Sequence, residues 1–156
     1  MIKITDTLIA GVAVKAKRSK RKRKNYNFHK AYSEKVQRLL NVAYPGTYIR
    51  PHKHENPDKV EIFIILKGRV LIVTFNDKGG VKERFLLDAK KGNRGVEIQP
   101  KVWHSLICLE EASCLYEVKE GPYEPLTDKN FAPWAPKEGT EAAALFNERI
   151  LSTSAL

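Results

Sequence analysis

The chain has 156 residues, of which 42% are hydrophobic and 29% are charged, and its formal net charge is +10. This composition is typical of one globular domain with its own core, and no segment approaches the roughly eighteen apolar residues of a membrane-spanning helix. Eight basic residues and no acid lie in residues 15–24, the basic run, which leaves only +2 of the +10 for the rest of the chain. This distribution excludes the broad basic surface of a typical nucleic-acid-binding domain.

The N-terminal residues predict a short helix over about residues 5 to 16. Thr5 or Asp6 is the candidate N-cap, and Leu8, Ile9 and Val12 form one apolar face. The basic residues follow this apolar stretch rather than precede it, which is not the order found in a secretory signal peptide. We therefore expect a cytoplasmic protein.

The basic run leads into a segment, Asn25 to His29, in which polar and aromatic residues alternate. This alternation predicts an extended arm with two distinct faces. Three interpretations of the run stay open. It is a solvated arm, or an arm that folds over the mouth of the domain and binds anions with help from Asn25, Asn27 and His29, or a nucleic-acid-binding tail, which is the least favoured of the three.

From residue 36 the pattern changes to short β-rich segments separated by turns rich in Gly, Pro, Asn and Asp. The predicted strands are Val36–Ala43, Tyr48–His54, Val60–Leu66, Val70–Phe75, Val81–Leu87, Val96–Gln99, Trp103–Cys108 and Cys114–Val118. Many short strands of this kind indicate an all-β sandwich or barrel. The strand Val60–Leu66 is apolar on both faces apart from Glu61, so we expect a homodimer to cover its outer face.

The C-terminal part begins with a segment rich in proline and aromatic residues, residues 121–136, which we call the strap. Its prolines exclude a long helix, and its aromatic residues predict packing over the core or, alternatively, contact with a substrate. A helix is predicted after Thr140, over Glu141–Leu151. One domain then contains an N-terminal helix and arm at 1–35, a barrel at 36–120, and the strap with a C-terminal helix at 121–156.

Three histidines and one glutamate have the spacing of a metal site. His52 and His54 are two residues apart in a predicted strand, so both imidazoles point to the same face. Glu61 would be costly among its apolar strand neighbours unless it were paired or metal-bound, and His104 comes from a distant strand. Each residue alone is compatible with a hydrogen-bonded core position, but together they predict a ligand set for one divalent metal: iron, manganese, nickel or zinc.

The same residues lie in segments that resemble the two cupin motifs. The first is Gly46-x5-His52-x-His54 followed by Glu61-x6-Gly68, and the second is residues 96–104, ending in His104. The chain departs from the second motif at Gln99, Lys101 and Cys108, and its loop before Glu61 is about two residues longer than is typical. The resemblance implies a double-stranded β-helix, or jelly-roll barrel, that binds a metal.

A wider resemblance, over about residues 4 to 138, is to the WbuC family of cupin-fold metalloproteins. It rests on the basic run with Asn25-x-Asn27-x-His29, on residues 36–41 and 45–54, and on the strap with Asp128-Lys129-x-Phe131-Ala132-Pro133-Trp134-Ala135-Pro136. That family is associated with surface-polysaccharide (O-antigen) gene clusters, and its reaction is unassigned. The resemblance implies a metal-binding protein of carbohydrate metabolism.

Tyr48 and Arg50 share the face of His52 and His54 if the strand is regular. They are therefore the candidate catalytic or substrate-binding residues, Arg50 through a guanidinium that suits an anionic group. A structural hydrogen bond or ion pair is the alternative for both.

Two function classes follow from these residues. The first is a metal-dependent enzyme, an isomerase or epimerase or an oxygenase-type cupin, that acts on a small polar or anionic metabolite such as a sugar nucleotide or another intermediate of surface-polysaccharide biosynthesis. The second is a non-catalytic ligand-binding or regulatory cupin with a structural metal. An open coordination position beside a proton donor or acceptor distinguishes the enzyme from the structural site.

Overall fold

A computed structural model describes residues 1–153 of the chain. Two helices and ten strands occur in these residues, in the order α1 (Asp6–Arg18), β1 (Arg23–Asn27), β2 (Val36–Ala43), β3 (His52–Lys53), β4 (Glu61–Lys67), β5 (Arg69–Phe75), β6 (Val81–Asp88), β7 (Gly95–Ile98), β8 (Trp103–Cys108), β9 (Ser113–Glu120), β10 (Asn130–Phe131) and α2 (Glu141–Ser152). Within this range, neither helix combines the length and hydropathy that crossing a bilayer requires.

The strands form two five-stranded antiparallel sheets, ordered β1-β2-β9-β4-β7 and β10-β3-β8-β5-β6. Inward-facing side chains from both sheets fill one part of the barrel with an apolar core made of Phe63, Ile65, Val70, Ile72, Leu87, Ile98, Leu106 and Leu115. The predicted all-β barrel with a helix at each end is therefore confirmed. Polar inward-facing residues occupy the rest of the interior, and they form the site described below.

The predicted strand Tyr48–His54 is wrong in its extent, because only His52–Lys53 is a strand. Pro51 has no amide hydrogen and so cannot donate to a sheet ladder. The chain before it is instead held by its carbonyl groups: Ile49 accepts from Ser105 Oγ at 2.5 Å, and Pro51 accepts from the Ala132 amide at 2.9 Å. Because the chain before His52 is not a regular strand, the alternation of side chains between the two faces does not extend back to Tyr48.

The N-terminal residues pack on the outside of the first sheet. The side chain of Thr5 caps α1 by accepting from the Leu8 amide at 3.2 Å. The apolar face of the helix is buried against β2 and β9, in a cluster formed by Ile9, Val12, Ala13, Ala16, Leu40, Val42 and Cys114. β1 pairs with β2 in antiparallel register, from Arg23 opposite Ala43 to Asn27 opposite Leu39.

The basic run is therefore divided between the end of α1, a turn and the start of β1. Two of its arginines bind the chain segment after the strap, because Arg21 and Arg23 both contact the carboxylate of Glu138, at 2.9 and 2.7 Å. These contacts attach the basic run to the folded domain. At the other end of the chain, α2 packs Phe146 and Ile150 on the outer face of the second sheet, while Cys108 and Cys114 are buried free thiols.

Two valines of α1 provide a matched test of this docking. Val12 is 4% exposed and Val14 is 52% exposed. We expect Val12→Ala to lower the free energy of unfolding by about 1–3 kcal/mol, because it removes two buried methyl groups. Val14→Ala should change it by less than about 0.5 kcal/mol. Urea denaturation measures both, and equal effects would show that α1 is not docked on the sheet in solution.

The outer face of β4 allows a second test. The helix α1 covers β2 but leaves Ile64 and Leu66 of β4 exposed, at 41% and 37%. We expect a homodimer that covers this face. Ile64→Lys should then produce a monomer in light scattering, whereas Leu145→Lys, at an exposed leucine of α2, should not. A wild-type monomer at high concentration would contradict the expectation.

Candidate metal centre

Four side chains from different segments meet inside the barrel. His52 lies in β3, His54 follows this strand, Glu61 begins β4, and His104 lies in β8 opposite His52 in the antiparallel register. Each is at most 2% exposed. One ligand atom from each residue lies within 4.8 Å of those of the other three. The four predicted metal ligands are thus brought together, and they could hold a metal ion.

Hydrogen bonds to main-chain carbonyl groups orient the three imidazoles. Nδ1 of His52 donates to the carbonyl of Arg50 at 2.9 Å, and Nδ1 of His104 donates to the carbonyl of Val102 at 2.9 Å. Nδ1 of His54 donates to the carbonyl of Asp128 in the strap at 2.5 Å. A neutral imidazole that donates through Nδ1 has its lone pair on Nε2, which is the form of histidine that ligates metals.

The Nε2 atoms converge on the carboxylate of Glu61. Oε2 of Glu61 is 3.0 Å from Nε2 of His104 and 3.4 Å from Nε2 of His54. Burial alone would raise the pKa of Glu61, but its close contacts with His104 and His54 outweigh burial and hold that pKa well below its usual range. Glu61 is therefore an anion.

The donor set fits a divalent metal on two further observations. The buried Nε2 atoms of His52 and His54 have no hydrogen-bond partner among the described residues. Burial, with a further contribution from the charge of Lys129, lowers the pKa of His52 well below its ordinary value, so this imidazole is neutral. Neutral imidazole nitrogens and one carboxylate oxygen are ligands that iron, manganese, nickel and zinc accept.

Behind His54 lies a buried charge cluster that the sequence interpretation missed. The carboxylate of Asp128 accepts from Nζ of Lys59 at 2.8 Å and from Nζ of Lys119 at 2.5 Å. All three residues are at most 4% exposed. The main-chain carbonyl of the same aspartate orients His54, so this cluster determines where the strap passes the site.

A cavity of about 910 Å³ opens beside the four ligands, with His52 in its wall. Six basic side chains and two acidic side chains line it: Arg21, Arg23, Lys24, Arg50, Lys119 and Lys129 against Glu117 and Glu138. Asn25, Asn27 and His29 also line it. The positive potential of such a cavity favours negatively charged ligands.

The structure separates the two candidate catalytic residues. Arg50 lines the cavity, where its Nη2 donates to the carbonyl of Ala132 at 2.9 Å. Tyr48 does not line it, because the irregular chain before Pro51 turns the ring towards α2, where it packs against Phe146 and its hydroxyl donates to the carbonyl of Pro136 at 2.9 Å. Burial raises the pKa of Tyr48 to about 12.

Glu117 in β9 is a further polar residue of the site that the sequence interpretation missed. It lines the cavity and accepts from Nδ2 of Asn41 at 3.0 Å. Burial, followed by the charge of Glu61, raises the pKa of Glu117 to about 8. The alternation of side chains along β9 could have identified this residue, because it places Glu117 and Lys119 on the same inward face as the core residue Leu115.

Two aspartates allow a matched test of the buried charge cluster. Asp128→Asn leaves Lys59 and Lys119 without their shared counter-charge, so we expect a loss of about 3–5 kcal/mol in the free energy of unfolding. Asp58→Asn removes the same charge from an exposed pair with Lys101, with Asp58 Oδ2 3.1 Å from the ammonium. That change should cost at most about 1 kcal/mol. Similar denaturation midpoints for the two variants would contradict the role given to Asp128.

Three solved structures illustrate the fold similarity. The capsular polysaccharide assembling protein CapF from Staphylococcus aureus has a TM-score of 0.57 at 19% identity, covering 69% of this chain and 28% of CapF. L-ribose isomerase from Cellulomonas parahominis has a TM-score of 0.55 at 15% identity, covering 78% of this chain and 71% of the isomerase. Oxalate decarboxylase from Lactobacillus farciminis has a TM-score of 0.52 at 14% identity, covering 70% of this chain and 30% of the decarboxylase. The fold is that of the cupins.

The chain spans less than a third of CapF, and these identities concern the fold alone. No curated protein matches the chain. A family model, described as a domain of unknown function, matches residues 4–87, which are 84 of the 156 residues. The matched segment contains His52, His54 and Glu61, while His104 lies beyond it. The chain belongs to this family, DUF6016, and carries a cupin fold with a candidate metal centre.

Proposed function

We propose that this protein is a cupin that binds one divalent metal through His52, His54, Glu61 and His104 and acts on a small anionic metabolite. The observation that carries the proposal is the position of the cluster. Three oriented imidazoles and one carboxylate meet beside a cavity of about 910 Å³ whose charged lining is mostly basic. A cavity of this size accommodates a small-molecule ligand.

Three nitrogens and one oxygen would fill four positions of an octahedral metal, which leaves two for a ligand. Once bound, the metal would supply Lewis-acid polarisation of a carbonyl or hydroxyl oxygen, or redox chemistry if it is iron. The chain's own residues complete the site. Arg50 would orient an anionic group, and the carboxyl of Glu117 lies where it can hold a proton beside the ligands.

An isomerase or epimerase of carbohydrate metabolism is the narrower proposal. It is supported by the resemblance to the WbuC family and by the fold similarity to a capsular polysaccharide assembling protein and to a sugar isomerase. An intermediate of surface-polysaccharide biosynthesis, such as a sugar nucleotide, has the anionic and polar groups that the cavity lining favours. A cupin fold hosts many chemistries, so the reaction class depends on the site rather than on the fold.

The metal ligands are tested by histidine substitution with an internal control. His52→Ala and His104→Ala each remove one candidate ligand, and we expect each variant to lose most of its metal. His29→Ala is the matched control, since this buried histidine lines the same cavity but lies outside the ligand cluster. Elemental analysis of the purified proteins should give close to one metal per wild-type and His29→Ala chain.

Full metal retention by the His52 and His104 variants would overturn the site assignment. The alternative of a structural metal is tested on the manganese-loaded protein by electron paramagnetic resonance. If coordination positions are open, added lactate should change the manganese spectrum. An unchanged spectrum would favour the non-catalytic cupin.

A further inference from the structure

Lys129 is a basic residue of the cavity whose ammonium has no direct ion-pair partner among residues 1–153. It follows Asp128 in the strap and precedes β10, and its side chain lines the cavity. Lys59 and Lys119 both bind Asp128, whereas within residues 1–153 the ammonium of Lys129 makes no hydrogen bond or salt bridge. Burial lowers the pKa of Lys129, which is the direction expected for an ammonium without a close partner.

The charges around the metal centre do not balance. Four cationic side chains, Arg50, Lys59, Lys119 and Lys129, surround two charged carboxylates, Glu61 and Asp128, because the raised pKa of Glu117, about 8, leaves that carboxyl mostly protonated near pH 7. The formal charge of this group is therefore +2 without a metal and +4 with a divalent ion. Uncompensated charge is costly to withdraw from water, so the complete site favours a ligand with anionic groups.

Arg50 is held next to the same cavity with donors to spare. Its Nη2 binds the carbonyl of Ala132, and its guanidinium carbon lies 5.2 Å from the centre of the Phe131 ring. Its Nε is buried and has no hydrogen-bond partner among the described residues. A guanidinium that is fixed in this way, with a free donor, suits a carboxylate or phosphate.

We propose that Lys129 and Arg50 form an oxyanion subsite beside the metal centre. This inference rests on the proposed function, and it narrows the ligand class. The ligand carries one oxygen group that reaches the metal, such as an α-hydroxy carboxylate, and a second anionic group, a carboxylate or a phosphate, that binds Lys129 and Arg50. A ligand with both groups offsets more of the excess positive charge than a monoanion does.

The test uses two pairs of acids that differ only in the second anionic group. Malate adds a carboxylate to lactate, and 3-phosphoglycerate adds a phosphate to glycerate. Isothermal titration of the manganese-loaded full chain should show at least one diacid binding about tenfold more tightly than its partner, as expected for a charge-assisted contact. The pair that shows the preference identifies the second group as carboxylate or phosphate.

Lys129→Met should abolish most of this preference and leave the affinity for lactate and glycerate within about twofold. The matched control is Lys24→Met, which removes the same charge from another part of the cavity wall and should keep the preference. Metal content and denaturation midpoint, measured on every variant, show that the proteins are folded and loaded.

Equal binding within both pairs by the wild-type protein would overturn the subsite and leave the proposed metal site intact. An equal loss of preference in the Lys24 and Lys129 variants would also overturn it, because the effect would then come from the general charge of the cavity. Failure of the wild-type chain to hold a metal would instead overturn the proposed function.

Discussion

The buried aspartate of the strap is the constraint on which the site depends. Its carboxylate binds two lysines, Lys59 before β4 and Lys119 in β9, and its main-chain carbonyl orients one of the metal-ligating histidines. The proline-rich strap contains only one short strand, β10, so regular structure alone does little to fix its path. The two ion pairs of Asp128 hold the strap in place, and they position Lys129 and Phe131 against the cavity. Asp128 therefore contributes both to the stability of the fold and to the orientation of a candidate metal ligand.

Local sequence patterns predicted the elements that local chemistry determines. Val36–Ala43 and Trp103–Cys108 are strands with the predicted bounds, and Thr5 caps the first helix. The four metal ligands could be grouped from spacing and residue type, because an H-x-H pair and a carboxylate in an apolar strand are costly to bury unless a partner such as a metal holds them together. The extent of β3 could not be predicted from alternation, since Pro51 changes how the preceding chain is held.

The polar residues around the ligands could not be grouped in the same way. Glu117 and Lys129 are separated from His52 by more than sixty positions in the sequence, and they meet it only because strands and strap fold back on one barrel. The basic run was ambiguous for the same reason. Its contact with Glu138 depends on the path of the C-terminal segment, which no pattern within the run encodes.

The order of the strands has a consequence for the modularity of this fold. β9, from late in the chain, lies between β2 and β4, and β8 lies between β3 and β5, so each sheet has a late strand inserted between two earlier ones. The segment matched by the family model ends at residue 87, before either of these late strands. A fragment with that boundary would present open strand edges and three of the four ligands. The structural unit is therefore the whole interleaved barrel, and truncation inside it removes hydrogen-bonding partners from both sheets.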